Sequence, residues 1–256
     1  MTGGGLPGFY YAEATCFMRR RPGNGAGGGS VKLIAHRGGR GFGTDNTLEA
    51  MEKAVRSGVR MIETDVRSTA DGQLVICHDS SIWGHVVRRT TYDEFKRIAP
   101  DRPLLSEVLE RLAGWVGFNI EIKEAPARDV GLMLNLYGIA DDTVVTSFDR
   151  DIMSDYRRDF PQALTGYLYR MPYGKEKKLQ HALEMGARII APHFSSIEAS
   201  LVDEAHELGL EVYAWTVNDR SDFHRLHDWG VDAIITDHYL EMEQLLKEMS
   251  ASAHPL

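Results

Sequence analysis

The sequence predicts a closed (β/α)8 TIM barrel that carries a β-hairpin and a short insertion after its second strand. Three observations predict it. Eight short β-branched or apolar runs alternate with eight amphipathic stretches, the pattern of a parallel sheet joined by crossover helices. Those units fill about 225 residues of the 256, close to the ~250 typical of such barrels. One β-like run passes into another with no helix between them, so those two strands cannot be parallel neighbours.

Taken in order, the chain opens on a stretch foreign to this pattern. Met1–Gly29 holds nine of the 25 glycines and the triplet Arg19-Arg20-Arg21. No apolar core follows those arginines, so residues 1–30 are expected to be a disordered tail rather than an export signal. The strands are expected at Val31–Ala35, Arg60–Thr64, Val116–Ile122, Thr143–Thr146, Ala163–Leu168, Arg188–Ala191, Glu211–Thr216 and Asp232–Ile235. The helices follow at Thr47–Ser57, Glu107–Ala113, Arg128–Tyr137, Asp151–Phe160, Lys175–Met185, Glu198–Leu208, Arg220–Asp228 and Tyr239–Met249. The barrel domain is thus expected over residues 31–250, with 251–256 as a C-terminal tail. An open doubly wound sheet is the competing architecture. Gly38-Gly39-Arg40-Gly41 lacks the phosphate-loop spacing that such a sheet would carry after its first strand.

The break in the alternation runs from Glu63-Thr64-Asp65 through Asp71-Gly72 to His78-Asp79. Asp-Gly is a strong signal for a two-residue hairpin turn. With that turn, Ala70 faces Gln73 and Asp65 faces His78, which returns the histidine to the barrel mouth where active sites of this fold lie. Cys77 then points away from the site. Between Ser80 and Arg102 the residues are largely charged, and no exposed amphipathic helix or apolar lid is evident there.

Ionisable residues collect at the expected strand ends. His36-Arg37 ends the first strand, Glu63 and Asp65 share a face of the second, and Glu121 and Lys123 share a face of the third. Three carboxylates buried together call for a cation, and oxygen ligands without cysteine suit Mg²⁺ or Ca²⁺ better than zinc. Two histidines beside them have the ordinary pKa suited to general acid and base work. Arg37 and Lys123 supply donors and positive charge for a phosphate. Together these residues describe metal-assisted attack on a phosphate ester. Asp45, Asn46 and Thr47 fit equally a helix N-cap and a supporting role behind the metal ligands. Trp215 either packs the mouth or walls a substrate. His193 ends the sixth strand, while His224 and His227 read as solvated surface.

At this point the sequence resembles the glycerophosphodiester phosphodiesterase family. The matching motifs are His36-Arg37-Gly38, Asn46-Thr47, Ile62-Glu63-Thr64-Asp65-Val66, Thr69-Ala70-Asp71-Gly72, His78-Asp79, Glu121-Ile122-Lys123, Ser147-Phe148, Trp215-Thr216-Val217-Asn218 and Ile235-Thr236-Asp237. The resemblance implies one divalent cation on Glu63, Asp65 and Glu121, with His36 and His78 as the acid/base pair. It also implies Arg37 and Lys123 on the phosphate, and a glycerophosphodiester cleaved to glycerol 3-phosphate and an alcohol. A lysophospholipase D-like activity on long-chain lysolipids would use the same residues, and a barrel that binds phosphate without catalysis is the other class. Thr44-Asp45 stands where the family usually has Pro-Glu, and Ile82-Trp83-Gly84-His85 separates the His-Asp pair from Arg88-Arg89-Thr90-Thr91.

Composition narrows the partners. The formal net charge is −8, and without the tail 26 basic residues face 36 acidic ones, which argues against nucleic acid. No apolar run is long enough to span a membrane, and two cysteines, Cys16 and Cys77, permit a reducing compartment, so a cytoplasmic enzyme is expected. The oligomeric state stays open.

Overall fold

The computed structural model describes residues 31–170 and 175–252. The expected tail, 1–30, lies outside the described residues. Eight strands form the barrel: β1 (Lys32–Ala35), β2 (Met61–Ser68), β6 (Gly117–Glu124), β7 (Thr143–Ser147), β8 (Leu164–Tyr169), β9 (Ile189–Pro192), β10 (Glu211–Ala214) and β11 (Ala233–Thr236). Each pairs in parallel with its neighbours, and β1 closes the ring by pairing with both β11 and β2. The helices are α1 (Leu48–Arg56), α2 (Tyr92–Ile98), α3 (Leu105–Leu112), α4 (Ala127–Leu136), α5 (Arg150–Asp159), α6 (Lys175–Glu184), α7 (Ala199–Glu207), α8 (Arg220–Asp228) and α9 (Tyr239–Ser252). Helix α9 carries the fold two residues past the expected boundary at 250.

The two-residue period of the strands divides the core. Ile34, Met61, Val144, Ile189 and Ala233 fill the barrel interior. Their neighbours Leu33, Ile62, Val145, Ile190 and Ile234 face outward, with Met51, Leu109, Val202 and Phe223 of the helices in the same cluster. Strand β2 runs four residues beyond its expected end because it pairs on both edges, with β6 and with β3 (Leu74–Ile76).

The expected hairpin register fails between β2 and β6. The hairpin register is Val66↔Ile76 and Ser68↔Leu74, and the Cys77 amide donates to the Asp65 carbonyl, so Asp65 faces Cys77 and not His78. The turn has three residues, Ala70-Asp71-Gly72. The Gly72 amide donates to the Thr69 carbonyl, the Thr69 amide donates to Gln73, and Gly72 takes the left-handed conformation at φ 82°. This is a β-turn followed by a bulge, the other common use of a glycine at the hairpin tip.

The segment after His78 also folds more than its charges suggest. It forms a two-stranded hairpin, β4 (Ser81–Ile82) and β5 (His85–Val86), followed by the amphipathic helix α2. Phe95 of α2 is fully buried with Val75, Cys77, Val87 and Ala99 in a small core of its own above the barrel. A seven-residue helix with one buried aromatic is too short to show a 3.6-residue period.

Candidate active site

The barrel mouth is built on the C-terminal ends of β1, β2, β6 and β11. Glu63 and Asp65 project from one face of β2, and the register sets Asp65 beside Glu121 of β6. One carboxylate oxygen from each of the three lies within 4.8 Å of the others, and all three residues are buried. Burial raises the Glu63 pKa well above the usual carboxylate value, with the charges of Asp65 and Glu121 adding to the rise. Burial likewise pushes Glu121 up to about 7, against the pull of Lys123. Lys123 Nζ sits 2.8 Å from Glu121 Oε1 and 3.3 Å from Asp65 Oδ1. Burial alone would lower the lysine's pKa, but Glu121 and Asp65 hold it above its ordinary value.

One ammonium against three carboxylates leaves two negative charges when all are ionised. Glu121 Oε1 is buried, and the Lys123 ammonium is the charged group beside it. Ligand atoms on opposite sides of a calcium ion stand roughly 4.6–5.2 Å apart, and those around magnesium somewhat less. The spacing, the charge and the all-oxygen donor set therefore fit one hard divalent cation.

Two of the three carboxylates accept a hydrogen bond from a neighbour. The Arg37 amide donates to Glu63 Oε2 at 2.8 Å, and Asn46 Nδ2 donates to Asp65 Oδ2 at 2.8 Å. Asn46 is fully buried in a left-handed conformation, with its Oδ1 accepting from the Thr64 hydroxyl. Thr47 caps α1, accepting from the Ala50 amide. The two readings of this segment thus belong to different residues, the cap to Thr47 and support of the Asp65 carboxylate to Asn46. Asp45 serves neither purpose. It pairs with Arg37 Nη1 at 3.3 Å and with Arg102.

Both histidines anchor Nδ1 on an aspartate. His36 Nδ1 donates to Asp237 Oδ1 at 2.7 Å, and His36 Nε2 lies 3.9 Å from Glu63 Oε2. Burial would raise the Asp237 pKa, but His36 and Asn218 outweigh it and hold the carboxyl at about 2. Asn218 Nδ2 donates to Asp237 Oδ2 while its Oδ1 receives the Asp237 amide. His78 Nδ1 lies 2.8 Å from Asp79 Oδ1. It reaches the site although the strand register does not put it there. Pairing ends at Cys77, and Arg67 of β2 donates from Nε and Nη2 to the His78 carbonyl, turning the backbone toward the mouth. Burial lowers the His78 pKa, and the charges of Asp65, Lys123 and Arg37 all act on the ring. In both rings a proton on Nδ1 leaves Nε2 as the nitrogen free to exchange one.

Arg37 follows His36 in a tight turn at φ 48°, a conformation costly for a bulky residue. Gly38 continues the turn in the left-handed conformation at φ 71°, where a side chain would be strained. Arg37 Nε is buried with no acceptor, a donor suited to a substrate oxygen. Across the mouth, Trp215 donates from Nε1 to the Ala191 carbonyl at 2.7 Å. Phe148 and His193 stand edge-on to its ring, and the Arg170 guanidinium carbon lies 5.3 Å from its centroid.

Residues 36–241 match the glycerophosphoryl diester phosphodiesterase family. The chain belongs to that family. It is 31% identical over 229 residues to a glycerophosphodiester phosphodiesterase of Caldanaerobacter subterraneus, covering 80% of this chain and 93% of that protein. The crystal structure of a glycerophosphodiester phosphodiesterase from Parabacteroides distasonis is 28% identical and superposes with a TM-score of 0.78, over 88% of this chain and 100% of the other. A phosphodiesterase of Oleispira antarctica, in complex with the product sn-glycerol-3-phosphate, has the same fold at a TM-score of 0.78 and 21% identity, covering 91% and 99% of the two chains. As a family member, this protein is a phosphoric diester hydrolase acting on glycerophosphodiesters. No helix among the described residues is long and apolar enough to cross a membrane.

The structure gathers His36, Arg37, Glu63, Asp65, His78, Glu121 and Lys123 at one mouth, with Trp215 on its wall. Sequence reasoning gave no role to Asp237, Asn218, Arg67 or Arg170. Asp237 was visible as the acidic end of the last strand, next to His36 at the end of the first once the ring closes. Arg67 and Arg170 carried no signal of their own.

Proposed function

We propose that this enzyme hydrolyses a water-soluble glycerophosphodiester to glycerol 3-phosphate and an alcohol, with His36 and His78 exchanging the protons. The observation that carries the reading is the pair of aspartate-anchored imidazoles beside a buried carboxylate cluster. Glu63, Asp65 and Glu121 would hold one Mg²⁺ or Ca²⁺, which when bound supplies positive charge for the phosphate oxygens. Arg37 Nε and the Lys123 ammonium orient the phosphate, and Trp215 with Arg170 walls the glycerol side. One imidazole takes a proton at Nε2 from the attacking water as its oxygen bonds to phosphorus. The other gives its Nε2 proton to the departing alkoxide as the second phosphorus–oxygen bond breaks.

Turnover of glycerophosphocholine is expected to vanish in EDTA and to return with Mg²⁺ or Ca²⁺; full activity after exhaustive chelation would remove the metal from the reading. The cavity between Ser80 and Arg102 sets Asp45, Asp79, Asp101 and Arg102 beside its apolar residues, a poor setting for an acyl chain whose every methylene needs burial worth ~0.8 kcal/mol. A higher kcat/KM for lysophosphatidylcholine than for glycerophosphocholine would favour the lysophospholipase D reading instead.

Stability gives a test without turnover. Glu63 and Glu121 have raised pKa values in the fold, so the folded state binds protons more tightly than the unfolded chain. Their stabilising contribution is complete below about pH 4.3, the unfolded value, and is lost as pH rises through about 7. Metal-free protein should therefore show a higher Tm at pH 5 than at pH 7.5. Added Mg²⁺ or Ca²⁺ should raise Tm more at pH 7.5.

A further inference from the structure

His78 is also one wall of a second space. A cavity of about 440 Å³ opens beside it, lined by Asp79, Trp83, Asp101 and Arg102, with Asp45 and Ile82. Its charge is uneven. Asp45 is neutralised by Arg37 and Arg102, and Arg102 is itself spent on the carbonyl and carboxylate of Asp45. Asp79 donates nothing and accepts from His78 while remaining 74% exposed. Asp101 has no ion-pair partner among the described residues and is exposed. Asp101 thus faces the cavity without an ion-pair partner among the described residues, while Asp79 is held by His78 and feels the charges of Arg37 and Arg102.

The fourth feature is Trp83. It occupies the tip of the β4–β5 hairpin with Gly84, both in left-handed conformations at φ 51° and 85°. A two-residue turn of this kind favours asparagine and glycine, and a tryptophan there is conformationally unfavourable. Packing does not compensate, because Trp83 is 86% exposed. An indole that contributes little to the fold stands over an acidic cavity whose far wall is a catalytic imidazole.

Aromatic faces and unpaired carboxylates together recognise cations, quaternary ammonium groups above all, since these shed water easily and are attracted to the ring quadrupole. We propose that this cavity receives the departing alcohol and that Trp83 and Asp101 select alcohols bearing a quaternary ammonium group. The inference rests on the phosphodiesterase reading and adds the class of its leaving group. The phosphate lies between Arg37 and Lys123, the glycerol meets Trp215 and Arg170, and the cationic alcohol extends past His78 toward Trp83. The excess of carboxylates over arginine in the cavity lining favours this occupant over an anionic membrane surface.

The test compares kcat/KM for glycerophosphocholine with that for glycerophosphoglycerol, whose alcohol is neutral, in the wild type, W83F, W83A and D101N. The wild type is expected to favour glycerophosphocholine. That preference should drop about tenfold in W83A, survive largely in W83F, and drop a few-fold in D101N and in high salt. An unchanged ratio in W83A, or equal losses on both substrates, would overturn the assignment. Choline chloride titrated into the same proteins gives a readout independent of turnover. Binding that W83A weakens supports the subsite even if neither diester is cleaved, in which case the phosphodiesterase reading fails alone. Choline binding that W83A leaves intact removes the subsite. Loss of phosphatidylcholine vesicle binding in W83A with the substrate ratio intact would also overturn it, in favour of a membrane contact.

Discussion

His36 and His78 hold their aspartates at nearly equal distances, 2.7 and 2.8 Å, yet they come by them differently. Asp237 arrives from 201 residues away, brought beside His36 when the last strand pairs with the first. It is held in turn by both ends of the Asn218 amide. Asp79 is simply the next residue after His78, and its side chain is 74% exposed against 18% for Asp237. One pair is fixed by closure of the barrel, the other by a local bend under Arg67. The difference teaches that equal hydrogen-bond length need not mean equal rigidity.

The largest effect that can break this comparison is loss of either imidazole. H36A and H78A should each lower kcat by at least ~10²-fold, the low end of a general acid or base contribution. A nearly active H78A would mean that the exposed pair is not a catalytic counterpart of the buried one. Replacing the aspartates sharpens the contrast. D237A should cost ~10²-fold in kcat because a misaimed imidazole loses its reacting geometry, whereas D79A should cost less than ~10-fold. Equal losses in steady-state assays would show that the two anchors matter alike.

The smallest effect is on acid stability. Asp237, held at about 2, stabilises the fold above its unfolded pKa near ~3.9 and loses that contribution as pH falls toward 2. In urea titrations between pH 4.5 and 2, D237N should show a weaker loss of stability than wild type. D79N should follow wild type closely, since an exposed carboxylate paired in water contributes little.

The same contrast separates what the sequence reveals from what it hides. The barrel is legible because eight strands alternate their faces and eight helices keep their stripe, so composition and period agree at every step. The carboxylates and Lys123 are legible because they share strand faces two residues apart. The histidine anchors are legible only in part. Asp79 is a neighbour in sequence, while the pairing of Asp237 with His36 exists only after ring closure. The hairpin register was hidden because Gly72 adopts the same left-handed conformation in a two-residue turn and in a three-residue bulged one. Thr69 decides the matter by donating its hydroxyl to Asp71 at 2.6 Å and accepting the Gln73 amide. Helix α2 escaped notice because its single buried anchor, Phe95, sits among charges.

That small core above the barrel has a consequence of its own. Phe95 and its companions pack on the hairpin and on one another, and Arg88 pairs with Glu124 of β6. Asp71 accepts the Tyr92 amide, the Ala70 amide reaches the Thr90 carbonyl, and Arg102 grips Asp45. Such a segment behaves as a cassette. Chimeras that exchange it between related chains, keeping the fastening points at Asp71, Thr90 and Arg102, should carry substrate preference with the cassette and leave the proton-transfer apparatus with the recipient barrel.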